Sequence, residues 1–245
     1  MSNPRFYTPE DLEIGIITAL PSNAAAHASR ALRLTAGDDA TLFNGDGHDY
    51  LCELLTVTKS AVTAKVISKV VVTNESPLNI TLLQAISSGD RMDYTIQKAI
   101  ELGVNRIQPI NSQRSVVKLS GERAEKRKEH WQNVVISACE QSGRAVIPQV
   151  KNALTLANWL GSNPAQVNST RITLSPTATQ TLQDLLKAAD EIYLLIGAEG
   201  GLTNEEIALA SAQGFSPVQL GKRVLRTETA ALAAVAAMQI IWGDF

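Results

Sequence analysis

A glycine-rich segment at residues 194–206 carries the residue types best suited to holding a small ligand. An apolar run leads into three glycines within five residues, and Thr203 and Glu206 have the spacing of a capping box at a helix start. Such loops often bind phosphate, but Glu199 adds a carboxylate and the Lys-Ser or Lys-Thr pair of a P-loop is missing. The segment therefore favours a neutral or cationic ligand, or a tight turn without any ligand.

A second segment, residues 220–231, places a basic turn between an apolar strand and an alanine-rich helix. Arg226 comes directly before the predicted helix start at Thr227, where a guanidinium and unbonded backbone N–H groups favour an anion or a developing negative charge. The alternative is a surface salt bridge between Arg226 and Glu228. Because open α/β sheets bind ligands at the carboxyl ends of their strands, two such loops predict a small-molecule site.

A third segment, residues 138–144, combines an acid, an amide and a base at the predicted end of a long helix. These residues are Glu140, Gln141 and Arg144. Taken alone, the pattern is better explained by solvated polar groups at a helix end. Cys139 is predicted to be a small buried hydrophobic residue rather than a nucleophile, because no histidine lies near it in sequence.

The basic residues are clustered although the 245-residue chain has a formal net charge of −2. Residues 114–128, which include Arg114 and Lys118, hold six basic and two acidic side chains, a local charge of +4. A second basic set lies near the N-terminus and consists of Arg5, His27, Arg30 and Arg33. Such clusters are usually solvated faces, but two of them also suit a phosphate backbone.

The N-terminal part of the chain is predicted to be a small β domain at residues 1–72. The turn Asn44–Gly47 lies between apolar runs and indicates a hairpin. A helix is expected over Ser22–Leu34, with Ser22 or Asn23 as its N-cap. Short strands closing on one another suggest a small barrel.

Residues 73–245 alternate strand and helix patterns, which predicts a parallel α/β sheet with helices on both faces. The predicted strands are Asn79–Ile86, Arg106–Ile110, Arg171–Leu174, Glu191–Ile196 and Pro217–Leu220. The predicted helices are Met92–Leu102, Glu122–Gln141, Thr179–Ala189, Asn204–Gln213 and Thr227–Trp242.

Several classes of site and location are not supported by the sequence. The three histidines are scattered, which argues against a zinc or di-iron site, and neither a GxSxG elbow nor a Rossmann glycine motif occurs. Two cysteines outside any CxxC pattern, and no signal-like stretch after Met1, predict the reducing cytoplasm. The longest apolar run has nine residues and is too short to span a bilayer.

Four segments, spread along most of the chain, together carry a family resemblance. They are Arg91–Val104, Ala138–Arg144, Leu194–Thr203 and Leu220–Ala230. Together with the opening Pro4–Tyr7 and the helix that holds His27, they resemble the bacterial 16S rRNA uracil-N3 methyltransferases of the SPOUT superfamily. Four motifs in register are far more specific than any one of them.

The resemblance implies two domains and an assembly. The expected fold is a PUA-like RNA-binding β-barrel at residues 1–72, followed at 73–245 by a SPOUT methyltransferase domain with a parallel sheet and a C-terminal trefoil knot. It also implies a homodimer that acts on 16S rRNA of the small ribosomal subunit. The many alanines of the last predicted helix are compatible with close packing, either between chains or within one.

The resemblance further implies that S-adenosylmethionine (SAM) is the cofactor, held in a bent conformation. The implied cofactor-binding residues are Leu174, Ser175, Leu195, Ile196, Gly197, Ala198, Glu199, Gly200, Gly201, Leu220, Gly221, Val224, Leu225 and Arg226. The family commonly has proline where this chain has Ala198, so we expect a looser free loop here.

Methyl transfer to uracil N3 requires loss of the N3 proton and stabilisation of the resulting anion. Arg226 is predicted to stabilise that anion, Glu140 or Glu228 to be the base, and Arg144 to hold a phosphate or the uracil. The residues predicted to contact rRNA are Arg5, His27, Arg30, Arg33, Arg114 and Lys118.

Three other functions stay open at this point. The chain could be a non-catalytic RNA-binding or assembly factor of the same fold, a phosphate-ligand enzyme that uses the glycine loop, or a SPOUT enzyme for another RNA site. Glu199 argues against the second, and the four motifs together favour the uracil-N3 family over the third.

Overall fold

The computed structural model describes residues 3–59, 61–185 and 191–245. The chain divides into two compact units. The first runs to Glu75 and adds Cys139–Ile147, and the second comprises Ser76–Ala138 and Pro148–Phe245. The first unit therefore continues a few residues beyond the expected limit at residue 72. The hydrophobic pattern of the sequence does not indicate that a later segment also belongs to it.

The first unit is built on a five-stranded mixed sheet in the order β1-β3-β4-β5-β2. Its strands are β1 Arg5–Tyr7, β2 Ile17–Ala19, β3 Asp39–Phe43, β4 His48–Val57 and β5 Val62–Val71. β3 and β4 pair antiparallel across Asn44–Gly47, which confirms the predicted hairpin. Alternate residues of the two long strands, such as Leu54 and Val62, point into a buried apolar core.

A short helix precedes β3 in this unit. It is α1, Ser22–Ala26, and it continues as a π-helical turn over His27–Ala31. The predicted N-cap is wrong: Pro21 occupies the cap position with an extended backbone (φ −52°, ψ 150°), and no side chain caps the helix. The helix also ends before the predicted Leu34, because Arg33 adopts a left-handed backbone with φ of 58°.

The second unit contains a seven-stranded parallel sheet in the order β12-β10-β11-β6-β7-β8, with β9 also paired to β7. The strands are β6 Ile80–Ala85, β7 Arg106–Asn111, β8 Gln149–Val150, β9 Leu154–Thr155, β10 Ser169–Leu174, β11 Glu191–Ile196 and β12 Phe215–Val218. The predicted parallel α/β sheet is thus confirmed. Every residue of β6 is buried, as expected for a central strand covered on both faces.

The helices of this unit follow the strands. They are α2 Asp90–Glu101, α3 Gly121–Ser142, α4 Leu156–Ser162, α5 Asn204–Ala212 and α6 Thr227–Trp242. The last residues of α3, from Cys139 onward, belong to the first unit. Of the helix predicted over Thr179–Ala189, the structure shows a short 3-10 turn at Leu182–Asp184, and residues 186–189 lie outside the described part of the chain.

Candidate functional site

A cavity of about 500 Å³ lies at the carboxyl ends of β10, β11 and β12 in the second unit. Three loops form its wall, because the ends of parallel strands meet at one edge of the sheet. The lining residues are Arg91, Leu174, Ser175, Pro176, Ile196, Gly197, Ala198, Glu199, Gly200, Gly201, Val218, Leu220, Gly221, Arg223, Val224, Leu225, Arg226, Thr227, Glu228 and Ala230. The two loops that the sequence analysis singled out therefore converge on one cavity.

Almost all of the predicted cofactor-binding residues line this cavity, and Leu195 is the exception. Its side chain is fully buried in an apolar cluster with Leu83 and Ile110. The reason is the alternation of a strand: the residue before Ile196 points to the opposite face of the sheet. Leu195 therefore supports the site through packing.

The cavity is also lined by residues that were not predicted individually as cofactor-binding. Arg91 comes from the start of α2, and Arg223 from the same basic turn as Arg226. Pro176, Val218, Thr227 and Ala230 complete this group. Arg223, Thr227 and Ala230 lie inside a motif that was recognised, whereas Arg91 belongs to another motif and reaches the cavity only through the fold.

The glycine loop needs its glycines for two different reasons. A side chain on Gly197 would lie 2.8 Å from the backbone of Gly201, so only glycine fits this close approach. Gly201 itself has φ of 71°, which favours glycine. The predicted capping box is confirmed, since Thr203 and Glu206 exchange hydrogen bonds at the start of α5.

Glu199 ties this loop to the segment that precedes α2. Its Oε1 accepts hydrogen bonds of 2.9 Å from the backbone N–H and the hydroxyl of Ser88 and from Arg91 Nη1. Partial burial by itself raises the pKa of the Glu199 carboxyl, but the bonds from Ser88, from its own backbone N–H and from Arg91 lower it to about 2. The carboxylate is therefore ionised at neutral pH and lies in the cavity wall.

Arg114 and Lys118, which are predicted to bind RNA, donate to backbone carbonyls of this unit. Arg114 Nη1 lies 2.9 Å from Gly200 O and 3.2 Å from Leu202 O, so it holds the glycine loop. Lys118 Nζ donates to the carbonyls of Ser112 and Gln113. RNA binding by these two residues stays a prediction.

Arg226 and Glu228 lie at the start of α6, on either side of Thr227. The Arg226 side chain is exposed, and among the described residues none forms a hydrogen bond or an ion pair with it. Glu228 Oε2 is buried and has no hydrogen-bond partner in the described part of the chain. The expected alternative, a salt bridge between the two, is not formed. A cation and a carboxylate oxygen thus remain available beside the cavity.

Glu140 and Arg144 belong to the first unit and are not among the described residues that line the cavity. Glu140 Oε1 accepts the backbone N–H of Tyr7 over 3.0 Å, and burial raises the pKa of its carboxyl. Arg144 is 4% exposed and donates to both carboxylate oxygens of Glu75, with a shortest distance of 2.6 Å. Cys139 is fully buried, as predicted, and burial raises the pKa of its thiol to about 12.

The second predicted RNA-binding set divides into two groups. Arg5 is held inside the first unit by Asp49 at 2.5 Å, by Cys139 O at 2.8 Å and by the Phe43 ring at 4.5 Å. The other members are exposed: His27 and Arg30 lie on the π-helical turn that follows α1, and Arg33 lies just after it. The exposed members suit a phosphate backbone, and RNA contact stays a prediction for all four.

No helix within the described residues is long and apolar enough to cross a membrane. In the same part of the chain, no group of three His, Cys, Asp or Glu side chains is arranged to hold a metal ion.

Comparison with protein families gives two matches. The family described as the RNA methyltransferase domain matches residues 74–239, and the RNA methyltransferase PUA domain matches residues 20–67. The ribosomal RNA small subunit methyltransferase E of Buchnera aphidicola subsp. Schizaphis graminum is 37% identical over 98% of this chain and 97% of its own length. That of Bacillus subtilis is 28% identical, over 97% and 96%.

Two solved structures are similar over the whole of both chains. One is a ribosomal RNA small subunit methyltransferase E from Neisseria gonorrhoeae bound to SAM, with 45% identity and a TM-score of 0.92. The other is a methyltransferase from Legionella pneumophila in complex with SAM, with 38% identity and a TM-score of 0.95. From the family match over residues 74–239 and the relatives aligned along nearly its full length, we conclude that the chain belongs to the RNA methyltransferase family of the ribosomal RNA small subunit methyltransferases E.

Proposed function

We propose that this protein transfers a methyl group from SAM to N3 of a specific uridine in 16S rRNA of the small ribosomal subunit. The observation that carries the proposal is the cavity at the strand ends, whose wall includes Arg226. The Arg226 guanidinium has no ion-pair partner among the described residues. The Neisseria and Legionella relatives, which hold SAM, support the choice of cofactor. The four motifs support the uracil-N3 position.

The residues of the cavity suit SAM chemically. Apolar side chains such as Leu174, Val218 and Leu225 offer a dry surface for a purine, and Gly197 lets the backbone approach the ligand. The ionised Glu199 carboxylate disfavours phosphate and tolerates a positively charged sulfonium. These residues would hold the cofactor, which supplies an electrophilic methyl group when bound.

Two residues at the start of α6 are assigned the chemistry on uracil. The Glu228 carboxylate accepts the proton that leaves N3, and its buried Oε2, which lacks a described partner, is available for that bond. The Arg226 guanidinium would stabilise the negative charge left on the uracil ring while the N3–methyl bond forms and the sulfur–methyl bond of SAM breaks, which would release S-adenosylhomocysteine. Glu140 as an alternative base, and Arg144 as a phosphate or base contact, remain predictions.

We also propose the assembly that the resemblance implies. The C-terminal part forms a trefoil knot, two copies of the chain form a homodimer, and the protein acts during ribosome biogenesis in the cytoplasm. The alanines along α6 and the exposed Ile240 and Phe245 near its end support close packing against a second copy. Analytical ultracentrifugation tests the dimer, and a single monomeric species would contradict it.

The proposed reaction is tested by nucleoside mass spectrometry of small-subunit rRNA from a strain that lacks this gene. We expect 3-methyluridine to disappear and to return when the gene is restored. Loss of a different methylated nucleoside would contradict the uracil-N3 assignment and leave an RNA methyltransferase. An unchanged nucleoside profile would contradict methyl transfer and favour a non-catalytic RNA-binding role.

A further inference from the structure

Three polar groups, from β6, from α6 and from the glycine loop, are joined by buried hydrogen bonds beside the cavity. Gln84 Nε2, near the end of β6, donates to Thr227 Oγ1 over 3.0 Å, and Thr227 Oγ1 donates to the Gly197 carbonyl over 2.6 Å. Gln84 is 0% exposed and Thr227 is 6% exposed. We call this Gln84–Thr227–Gly197 arrangement the polar link.

The directions of the two bonds are fixed by the number of protons available. A hydroxyl has one proton, and Thr227 gives it to Gly197 O, so its oxygen lone pairs face Gln84. The other N–H of the Gln84 amide goes to Ala85 O over 3.0 Å, which holds the amide plane. Buried bonds of this kind are stronger than exposed ones, because no water competes for the same atoms.

The polar link joins the two loops that form most of the cavity wall. Gly197 begins the glycine loop, and Thr227 is the first residue of α6, between Arg226 and Glu228. A shift of α6 along its axis would break the bond from Thr227 to Gly197. The polar link therefore sets the position of the α6 start relative to the glycine loop.

We propose that Gln84 and Thr227 are positioning residues that hold Arg226 and Glu228 in register with the methyl donor. The inference rests on the proposed function, since it assigns a role within the same site. Both side chains act through others: Thr227 through Gly197 O, and Gln84 through the Thr227 hydroxyl.

Thr227→Val tests the hydroxyl, because valine keeps the shape and removes the proton. We expect its single-turnover rate at saturating SAM to fall about tenfold or more, since small misplacements of reacting groups are costly in rate. Thr227→Ser keeps the hydroxyl and is expected to restore most of the rate. Thr229→Val is the matched control, because Thr229 is exposed on the same helix and has no described hydrogen bond. Equal rates for Thr227→Val and Thr229→Val would overturn the proposal.

Gln84→Met provides a second test that leaves the Thr227 hydroxyl in place. We expect a smaller rate loss than for Thr227→Val, and the double variant should lose little more than Thr227→Val alone, because both changes break one linked set of bonds. Fully additive losses of rate in the double variant, or a normal rate for Gln84→Met, would contradict the claim that the two residues act together. If the melting temperature shows that Thr227→Val does not fold, the rate of Gln84→Met becomes the test of the positioning role.

Failure of the proposed function would be recognised separately. Wild-type protein that binds SAM but methylates no uridine in 16S rRNA would contradict the function. The polar link would then be judged from the dissociation constant of SAM by calorimetry, where we expect Thr227→Val to bind several-fold more weakly. Unchanged SAM affinity in that case would overturn the inference as well.

Discussion

A glutamate and an arginine lie at the end of α3 and again at the start of α6, but the fold uses the two pairs differently. In the first unit, Glu140 binds the backbone N–H of Tyr7, and Arg144 forms a buried bidentate pair with Glu75. Every one of these charged groups has a protein partner that belongs to the same unit. Their hydrogen-bonding capacity is used by the fold.

The α6 start in the second unit shows the opposite arrangement. Arg226 has no ion pair among the described residues, and Glu228 Oε2 is buried without a described partner. A buried polar atom that lacks a bond costs free energy, so a hydrogen bond from a ligand to Glu228 Oε2 would be favourable. Glu140 and Arg144 are thus committed to contacts within the fold, whereas Arg226 and Glu228 are available for the chemistry proposed above.

The strongest test of this comparison is Arg226→Met. We expect single-turnover methyl transfer to fall on the order of 10²–10³-fold, because one charged group that stabilises a developing anion is removed. SAM affinity, measured by calorimetry, separates this loss from the cofactor contact that the resemblance also implies for Arg226. Lys222→Met is the matched control, since Lys222 is exposed in the same turn and does not line the cavity. An equal loss of rate in Lys222→Met would contradict the role proposed for Arg226.

Glu228→Gln and Glu140→Gln together decide which carboxylate is the base. We expect Glu228→Gln to lower the single-turnover rate about 100-fold, in line with loss of a general base. Glu140→Gln keeps an oxygen for the Tyr7 N–H and should retain the larger part of the rate. The reverse result would give the base role to Glu140 and would show that a paired carboxylate can still act in catalysis.

Arg144→Met is expected to affect stability rather than chemistry. It leaves Glu75 without its buried partner, and breaking such a pair costs about 3 kcal/mol in the free energy of unfolding. Urea denaturation measures this loss, with the exposed Arg30→Met as control. Unchanged stability together with a lost rate would instead support the predicted contact of Arg144 with phosphate or uracil.

Glu199→Gln tests the pairing on the cavity wall through pH. The pKa of Glu199 is about 2 in the folded protein, below the value of about 4.3 for an unpaired glutamate. Its contribution to stability is therefore fully present above pH of about 4.3 and is lost as the pH falls towards 2. We expect the melting temperature of Glu199→Gln to depend less on pH in this window than that of the exposed control Glu122→Gln. Identical profiles would contradict the pairing.

The smallest expected effect concerns RNA affinity. If Arg30 and Arg33 each contact a phosphate, their replacement by methionine should lower the salt slope of rRNA binding by about one unit each and leave SAM binding unchanged. Lys65→Met serves as an exposed control in the same unit. Filter binding at several salt concentrations measures the slope. Slopes equal to that of wild type would contradict the prediction that these residues contact phosphate.

The sequence by itself determined the alternation of strands and helices in the second unit and the position of its ligand-binding loops. The bounds of β11 and α6 are those predicted, and the glycine loop begins where the apolar run ends. Such features follow from local periodicity and from glycine, which act over a few residues. The short elements β8, β9 and α4 were missed, because two to seven residues show too little periodicity.

Only the tertiary structure decided which polar side chains find partners. Arg91 meets Glu199 across 108 positions of sequence, Tyr7 meets Glu140 across 133, and Gln84 meets Thr227 across 143. These pairs depend on the sheet order, which places β6 next to β11, and on the return of residues 139–147 to the first unit. Local residue preferences carry no information about such distant neighbours, so the sequence could identify the loops that hold charged residues but could not tell which charges the fold would leave unpaired.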